Sequence, residues 1–356
     1  MEVNTEFNIN ITKTNNSKID QIDFNNIPFG QIYSDHMLIA NFVDGKWDTP
    51  EIKPFENMSF SPAMSALHYG QSIFEGMKAF KTSEGAVQLF RPYENLERLN
   101  KSARRMSMEE IPEDIFIEGL KQLVALDKNW VPGQEGSSLY IRPLLFATDE
   151  YIGVKSSKNF TFLIITCPVG KYYAHPVKVL AADKFVRAIP GGVGDAKTAG
   201  NYAAAMLPAT QANLEGYDQV LWMDGYEFKY TQEIGTMNFF VEIDGKIYTP
   251  KLNGAILEGI TRDSVITLLK QNGYDVVEKD LSIEEIFDAA TNGKLTDAFG
   301  SGTAASISHI SAIGWNGKEV QLPAVANRKI SNWLYEQLEG IKTGKVEDAN
   351  NWNIEI

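Results

Sequence analysis

The chain has 356 residues, 44% of them hydrophobic, which is more than one compact core usually holds, so two domains are expected. A formal net charge of -13 with no compact basic stripe argues against nucleic acid and anionic membrane as partners. One cysteine, Cys167, rules out an intrachain disulfide and a cysteine-based zinc site. No apolar run reaches membrane-spanning length, and a cytoplasmic protein is expected.

The first 27 or so residues are polar and asparagine-rich, without the charged and apolar regions of a signal peptide, and read as an arm. Asp35 to Phe42 has strand character and turns at Asp44-Gly45. Ala66 to Phe80 reads as a short helical piece running into a strand, and Gln88 to Pro92 as a strand ended by proline. From Tyr93 to Met106 the apolar positions Leu96, Leu99 and Ala103 recur at helical spacing against Glu97, Arg98, Lys101 and Arg104. A helix over Pro112 to Asp127 follows, then two apolar strands, Ser138 to Phe146 and Phe160 to Cys167. Prolines and glycines around residues 168 to 176 read as the crossing between domains.

The second half opens on Arg187 to Tyr202, where a glycine-rich turn leads to Lys197 and then to Asn201 and Tyr202. Glycines bring main-chain N–H groups close to an anion, which points to a phosphorylated ligand. Gly191 to Thr198 matches a P-loop, G-x-x-x-x-G-K-[ST], at each fixed position but Ala196, and Val220 to Asp224 imitates a magnesium-holding strand. Asp224-Gly225 reads better as a tight hairpin turn. The same stretch also fits a lysine that forms a Schiff base with pyridoxal phosphate, or a plain surface lysine, and local sequence leaves the three readings open.

After Lys197 a helix begins near Asn201 and is expected to kink at Pro208. Hairpins at Asp224-Gly225 and Asp244-Gly245 come next. Gly259-Ile260-Thr261 opens a helix that ends at Gly273, and Ser282 with Glu285 forms a capping box. Phe299 to Ala304 is a second glycine-rich turn, so an anion could be shared by the N–H groups and hydroxyls of Thr261 and Thr303. Arg91 suits a phosphate by its bidentate guanidinium, and Glu233 is either a strand residue or a partner for a ring nitrogen. His36, His68, His175 and His309 lack metal-binding spacing, and no metal is expected.

Several ordered blocks settle the choice by resemblance: Asp35 to Leu38, Leu67 to Tyr69, Phe74 to Phe80, Leu89 to Pro92, Leu139 to Pro143, Cys167 to Gly170, Gly194-Asp195 with Lys197 and Gly200-Asn201-Tyr202, Glu233 to Asn238 and Phe299 to Ala304. From about Phe29 to the carboxyl end the chain resembles a branched-chain amino acid aminotransferase, a pyridoxal-phosphate enzyme of fold type IV. The resemblance implies a mixed α/β fold, with a small α/β domain over residues 1–174 and a larger pseudo-barrel domain over 175–356. It implies a homodimer acting on leucine, isoleucine and valine, with 2-oxoglutarate as amino acceptor. A D-amino acid aminotransferase or an aminodeoxychorismate lyase would share the lysine and the glutamate, but the blocks around Tyr69, Phe74 and Tyr140 argue against both.

By the same resemblance Lys197 is the Schiff-base lysine and proton carrier. Tyr202 bonds the cofactor's phenolic oxygen and Glu233 its pyridine nitrogen. Arg91, Ile260, Thr261 and Thr303 hold the phosphate, Leu257 packs on the ring, and Arg187 adds positive potential. The substrate pocket comprises Phe29, Tyr69, Phe74, Tyr140, Arg142, Tyr172, Thr236 and Ala304, with Ile152 and Val154 supplied by the partner subunit. Animal members of the family carry a redox-sensitive cysteine pair at positions that are Ala305 and Ser308 here, so insensitivity to mild oxidants is expected.

Overall fold

Ser138–Ala147 and Phe160–Val169, ten residues each, pair antiparallel from Ser138 with Val169 through Ala147 with Phe160. Around this pair the computed structural model, which describes residues 7–170 and 175–356, builds a ten-stranded sheet. Its order is Asn10–Ile11, Glu51–Pro54, His36–Val43, Phe160–Val169, Ser138–Ala147, Met77–Lys81, Val87–Phe90, Asn353–Glu355. Lys46–Trp47 adds to His36–Val43, and Ser72–Phe74 adds to Ser138–Ala147. The helix Pro92–Arg105 starts with proline in its first turn, where no N–H is needed, and buries Leu96, Leu99 and Ala103 in a core with Phe116, Leu120, Trp130 and Phe162. Arg98, expected on its polar face, is instead 8% exposed. Asn95, Arg98 and Ser102 form a second, polar stripe that is also buried.

The nine-stranded second sheet closes on itself. Thr231–Ile234, Gln219–Met223, Val177–Ala181, Ser306–Trp315, Leu295–Gly302 and Met237–Ile243 pair in that order, and the last pairs with the first, making the ring that the resemblance implied. Closure leaves none of these six strands with an open edge to manage. Val177, Val179, Leu221, Ile234, Phe239, Ile310 and Ile313 belong to one buried cluster of this sheet.

Contacts divide the chain into two compact units, one made of the described residues of Met1–Tyr172 with Ala196–Ala199 and Gly340–Ile356, the other of those of Tyr173–Asp195 with Gly200–Glu339.

Local chemistry is read well in most turns. Asp44-Gly45 and Asp244-Gly245 take positive φ at both residues, 54° and 78°, then 53° and 77°, as two-residue hairpin turns require. Ser282 and Glu285 form the reciprocal capping box. Three expectations are corrected. Asp224-Gly225 is no tight turn: the loop 224–230 is organised by the Asp224 carboxylate, which accepts from the N–H groups of Tyr226, Glu227, Lys229 and Tyr230. Burial pushes that carboxyl up, but the four backbone bonds outweigh it and hold it below the usual carboxylate range. Phe299 to Gly302 is strand rather than turn, because the turn needs only 303–305 before Ser306–Trp315 returns. The helix after Lys197 breaks at Ala205, ahead of Pro208, into Ala199–Ala204 and Met206–Leu214, since the proline has no N–H to give the preceding turn. The arm is laid along the first sheet: Asn10 and Ile11 pair with Glu51 and Ile52, and the Thr14 N–H reaches His36 Nε2 at 2.9 Å.

Cys167 is buried in the first sheet, and burial pushes its thiol up to about 11 despite the nearby charge of Arg142. In the native protein a disulfide-exchange reagent at pH 8 is expected to label this thiol at least about a hundredfold more slowly than in denaturant, as the thiolate is scarce and enclosed. Kinetics of labelling followed by mass spectrometry check it; equal rates would show the thiol to be open to solvent.

Candidate active site

In the first unit, Lys197 is held on both sides of its peptide. Its carbonyl accepts from the Phe74 N–H at 3.0 Å and its own N–H donates to Ser102 Oγ at 2.9 Å. Thr198 bridges to Ile73, and its hydroxyl donates to the Ser72 carbonyl at 3.0 Å. The ammonium lies 5.0 Å from the centre of the Phe74 ring.

Residue 75 follows directly. Glu75 is fully buried, with Oε1 2.7 Å from Arg98 Nε and Oε2 2.8 Å from Nη2, and Asn95 Nδ2 donates to Oε2 at 2.7 Å. Burial pushes its carboxyl up, but the charge and hydrogen bonds of Arg98, then the charge of Lys197 and the Asn95 amide, hold it below the usual range. Sequence reasoning gave Glu75, Asn95, Arg98 and Ser102 no role. No local signal singled them out, because Glu94, Glu97 and Lys101 repeat at the same i, i+3, i+7 spacing on the same helix.

Aromatic side chains gather on the same unit. Phe29 meets Tyr140 edge-on at 5.4 Å between ring centres. The Tyr140 hydroxyl accepts from Arg142 Nη2 at 2.9 Å and rests against Gly76, where any Cβ would collide with it. Arg142 lies over Phe74 at 4.5 Å and Tyr140 at 5.4 Å, and its buried Nε has no hydrogen-bond partner among the described residues. This is an apolar, aromatic cluster with one guanidinium stacked on it, whose enclosed Nε is unpaired among the described residues. Tyr69 is 41% exposed, while Ile152 and Val154 are 70% and 92% exposed. Tyr172 lies outside the described residues. Arg91 is buried, stacks over Trp352 at 5.2 Å, bonds Glu94 Oε1 at 2.9 Å, and has a left-handed backbone with φ 53°.

In the second unit, a bulge aims Glu233. Leu221 pairs with Ile234 but Met223 with Thr231, so Gln232 and Glu233 together oppose the single residue Trp222. Glu233 is 4% exposed, and its Oε2 lies 2.6 Å from Arg187 Nη2. Asn238, opposite Glu233 in the next strand, donates to Glu233 Oε1 at 3.3 Å and to the Leu257 carbonyl at 2.9 Å. Asn238 in turn occupies the space a side chain at Gly259 would need. That glycine begins the helix Ile260–Gln271 without a side-chain cap, leaving its first turn, with buried Thr261, in the form that suits an anion. Arg187 also donates to the Ala255 carbonyl and, at 3.4 Å, to that of Gly194. Gly302 lies near the Thr236 carbonyl, which sets Thr236 close to the start of the Thr303-Ala304 turn. Tyr202 is on the short helix after Lys197, half-buried.

The second unit thus brings Arg187 directly to Glu233 and links Glu233 to Leu257 through Asn238, and the first brings Lys197, Phe74, Tyr140 and Arg142 together. The P-loop reading loses its metal ligand, since Asp224 spends its carboxylate on its own loop. No group of three His, Cys, Asp or Glu among the described residues could hold a metal.

The family described as Amino-transferase class IV matches residues 72–313. A probable branched-chain-amino-acid aminotransferase of Staphylococcus epidermidis is 48% identical over 339 residues, 94% of each chain. Branched-chain-amino-acid aminotransferase 2 of Bacillus subtilis is 45% identical over 352 residues, 98% of this chain and 96% of that one. Among solved structures, a T.th. branched-chain amino acid aminotransferase complexed with N-(5'-phosphopyridoxyl)-L-glutamate has a TM-score of 0.73 at 27% identity, covering 91% of this chain and 99% of that one. The same protein complexed with 4-methylvaleric acid has a TM-score of 0.72 at 28% identity, with the same coverage. Matched along most of its length by family and relatives alike, the chain belongs to the class IV aminotransferases, among the branched-chain-amino-acid aminotransferases.

Proposed function

We propose that this chain moves the amino group of L-leucine, L-isoleucine or L-valine to 2-oxoglutarate, giving branched-chain 2-oxo acids and L-glutamate, with pyridoxal phosphate carried on Lys197. The observation that carries the reading is the aromatic cluster of Phe29, Phe74 and Tyr140 with the Arg142 guanidinium stacked against it. An apolar wall suits a branched side chain, and the charge of a guanidinium suits a second carboxylate. That a similar protein is solved both with a glutamate adduct and with a branched aliphatic acid supports the same pairing.

The residues fit the cofactor by their donor chemistry: an amine at Lys197, a buried carboxylate at Glu233, and a helix start beside Thr261 that lacks a side-chain cap. When bound, pyridoxal phosphate supplies an electron sink for the substrate Cα. Lys197 Nζ would anchor it and then carry the Cα proton. Glu233 would accept the hydrogen bond of a protonated ring nitrogen, with Arg187 and Asn238 fixing the carboxylate's direction. Tyr202 would bond the phenolic oxygen and Leu257 would pack on the ring. Arg91, Ile260, Thr261 and Thr303 would hold the phosphate. Tyr69, Tyr172, Thr236 and Ala304 would complete the substrate pocket, and the exposed Ile152 and Val154 would serve the partner's pocket in a homodimer. We also read the chain as two domains that part near residue 174, with Gly340–Ile356 returning to the first, in a cytoplasmic protein. No helix among the described residues is long and apolar enough to cross a membrane.

Lys197→Ala is expected to abolish turnover, and borohydride should fix the cofactor of the parent protein to the peptide containing Lys197. A label on any other peptide would end this reading. Glu233→Gln should keep the cofactor bound yet slow the chemistry at least about a hundredfold, because an amide cannot hold a ring nitrogen protonated; single-turnover spectra decide it. Arg142→Met should weaken 2-oxoglutarate and glutamate at least about tenfold more than leucine and its oxo acid, since only the former need the charge. Half-reactions measured separately test this, and equal losses in both would assign Arg142 to the shared α-carboxylate or to the fold.

A further inference from the structure

Lys197 owes both of its backbone hydrogen bonds to groups that a single helix controls. Ser102 Oγ accepts the Lys197 N–H at 2.9 Å while donating to the Arg98 carbonyl at 3.0 Å, and Ser102 is fully buried. On the other side, the Phe74 N–H that holds the Lys197 carbonyl belongs to the residue just before Glu75. Glu75 is clamped to the same helix by Arg98 at 2.7 and 2.8 Å and by Asn95 at 2.7 Å. Its own Oε2 also takes the Gly76 N–H at 3.2 Å, so the turn 74–76 cannot rotate without breaking a fully buried ion pair. The Phe74 ring, fixed by this turn, is the surface over which the Lys197 ammonium and the Arg142 guanidinium both lie.

We propose that Glu75 and Ser102 are positioning residues for Lys197: the polar stripe Asn95, Arg98 and Ser102 of helix Pro92–Arg105 locks the lysine's backbone and the ring beneath its ammonium, one through Glu75 and one directly. The inference rests on Lys197 being the cofactor-binding lysine. The step it governs is condensation, in which Nζ bonds to the aldehyde carbon of pyridoxal phosphate and the aldehyde oxygen leaves as water with the two amine hydrogens. That step demands a placed nucleophile, whereas phosphate binding does not, and displacement of a reacting atom by about 1 Å can cost on the order of a hundredfold in rate.

The test compares two measurements on the full-length apoprotein: the rate of covalent attachment of pyridoxal phosphate, and the equilibrium affinity for pyridoxine 5'-phosphate, which lacks the aldehyde. Glu75→Gln, which keeps shape and removes the charge, should slow attachment at least about tenfold and leave pyridoxine 5'-phosphate affinity within about twofold. Glu75→Asp should recover part of the rate, a rescue that a merely structural role does not give. Ser102→Ala should show the same split, and it carries the test if Glu75→Gln does not fold. Attachment at the parent rate or faster would overturn the proposal, and so would a parallel loss of attachment and affinity. Peptide mapping of the reduced parent protein, done first, reports separately on whether Lys197 is the attachment site at all.

Discussion

A carboxylate with no access to water must be met by a cation and by hydrogen bonds, or it will not stay ionised. Both units are organised around that requirement. In the first, Glu75 is fully buried and answered by Arg98 and Asn95; in the second, Glu233 is nearly buried and answered by Arg187 and Asn238. Removing one partner of such a pair costs about 3–5 kcal/mol, a large share of the stability of an ordinary domain. The surroundings therefore keep to one geometry. Arg187 is held by carbonyls of two separate loops, and Arg98 sits on a helix whose apolar face is locked in the core. The two carboxylates differ in their surroundings: Glu233 shares its partners with the Leu257 and Ala255 segments, whereas Glu75 is clamped to one helix and to the turn that carries Phe74.

Much of this was legible in the sequence where one local rule decides. The aspartate-glycine turns at 44–45 and 244–245 need positive φ, the Ser282–Glu285 pair has the spacing of reciprocal capping, and the strands of the first sheet are continuous apolar runs. Lys197, Glu233 and Arg142 lie in ordered blocks that resemble a family, and Arg187 was named by the same resemblance; the structure sets Arg187 against Glu233 and Arg142 against Phe74 and Tyr140. Where two rules compete, the sequence misleads. Asp224-Gly225 has turn chemistry, but its carboxylate collects backbone N–H groups from a longer loop. Phe299 to Gly302 looks like a glycine turn, but these glycines lie in a strand that packs tightly against Met237 at residues 300 and 302.

Arg98 shows why part of the site stayed hidden. A charged residue at helical spacing from other charged residues reads as solvent-facing, and nothing local distinguishes it from Glu97 or Lys101. Its burial goes with that of Glu75, in the turn between Ser72–Phe74 and Met77–Lys81, so the pair becomes visible only when that turn and the helix are both in place. Asn238 is similar. Its contacts to Glu233 and Leu257, and its exclusion of any side chain at Gly259, join three segments that no sequence period connects.

The strand Asn353–Glu355 pairs with Val87–Phe90, and Gln88 reaches the carbonyls of Ile341 and Lys342, so the first unit is completed by residues synthesised after the whole of the second. On the ribosome, Val87–Phe90 is left as an open edge while more than two hundred and fifty further residues are added. The ring of six strands can close in that interval, since every one of its members lies between residues 177 and 315. Order of birth and order of completion are therefore reversed: the half of the protein that emerges first is the half that finishes last, and its exposed edge is where a nascent chain of this kind is open to pairing with a neighbour.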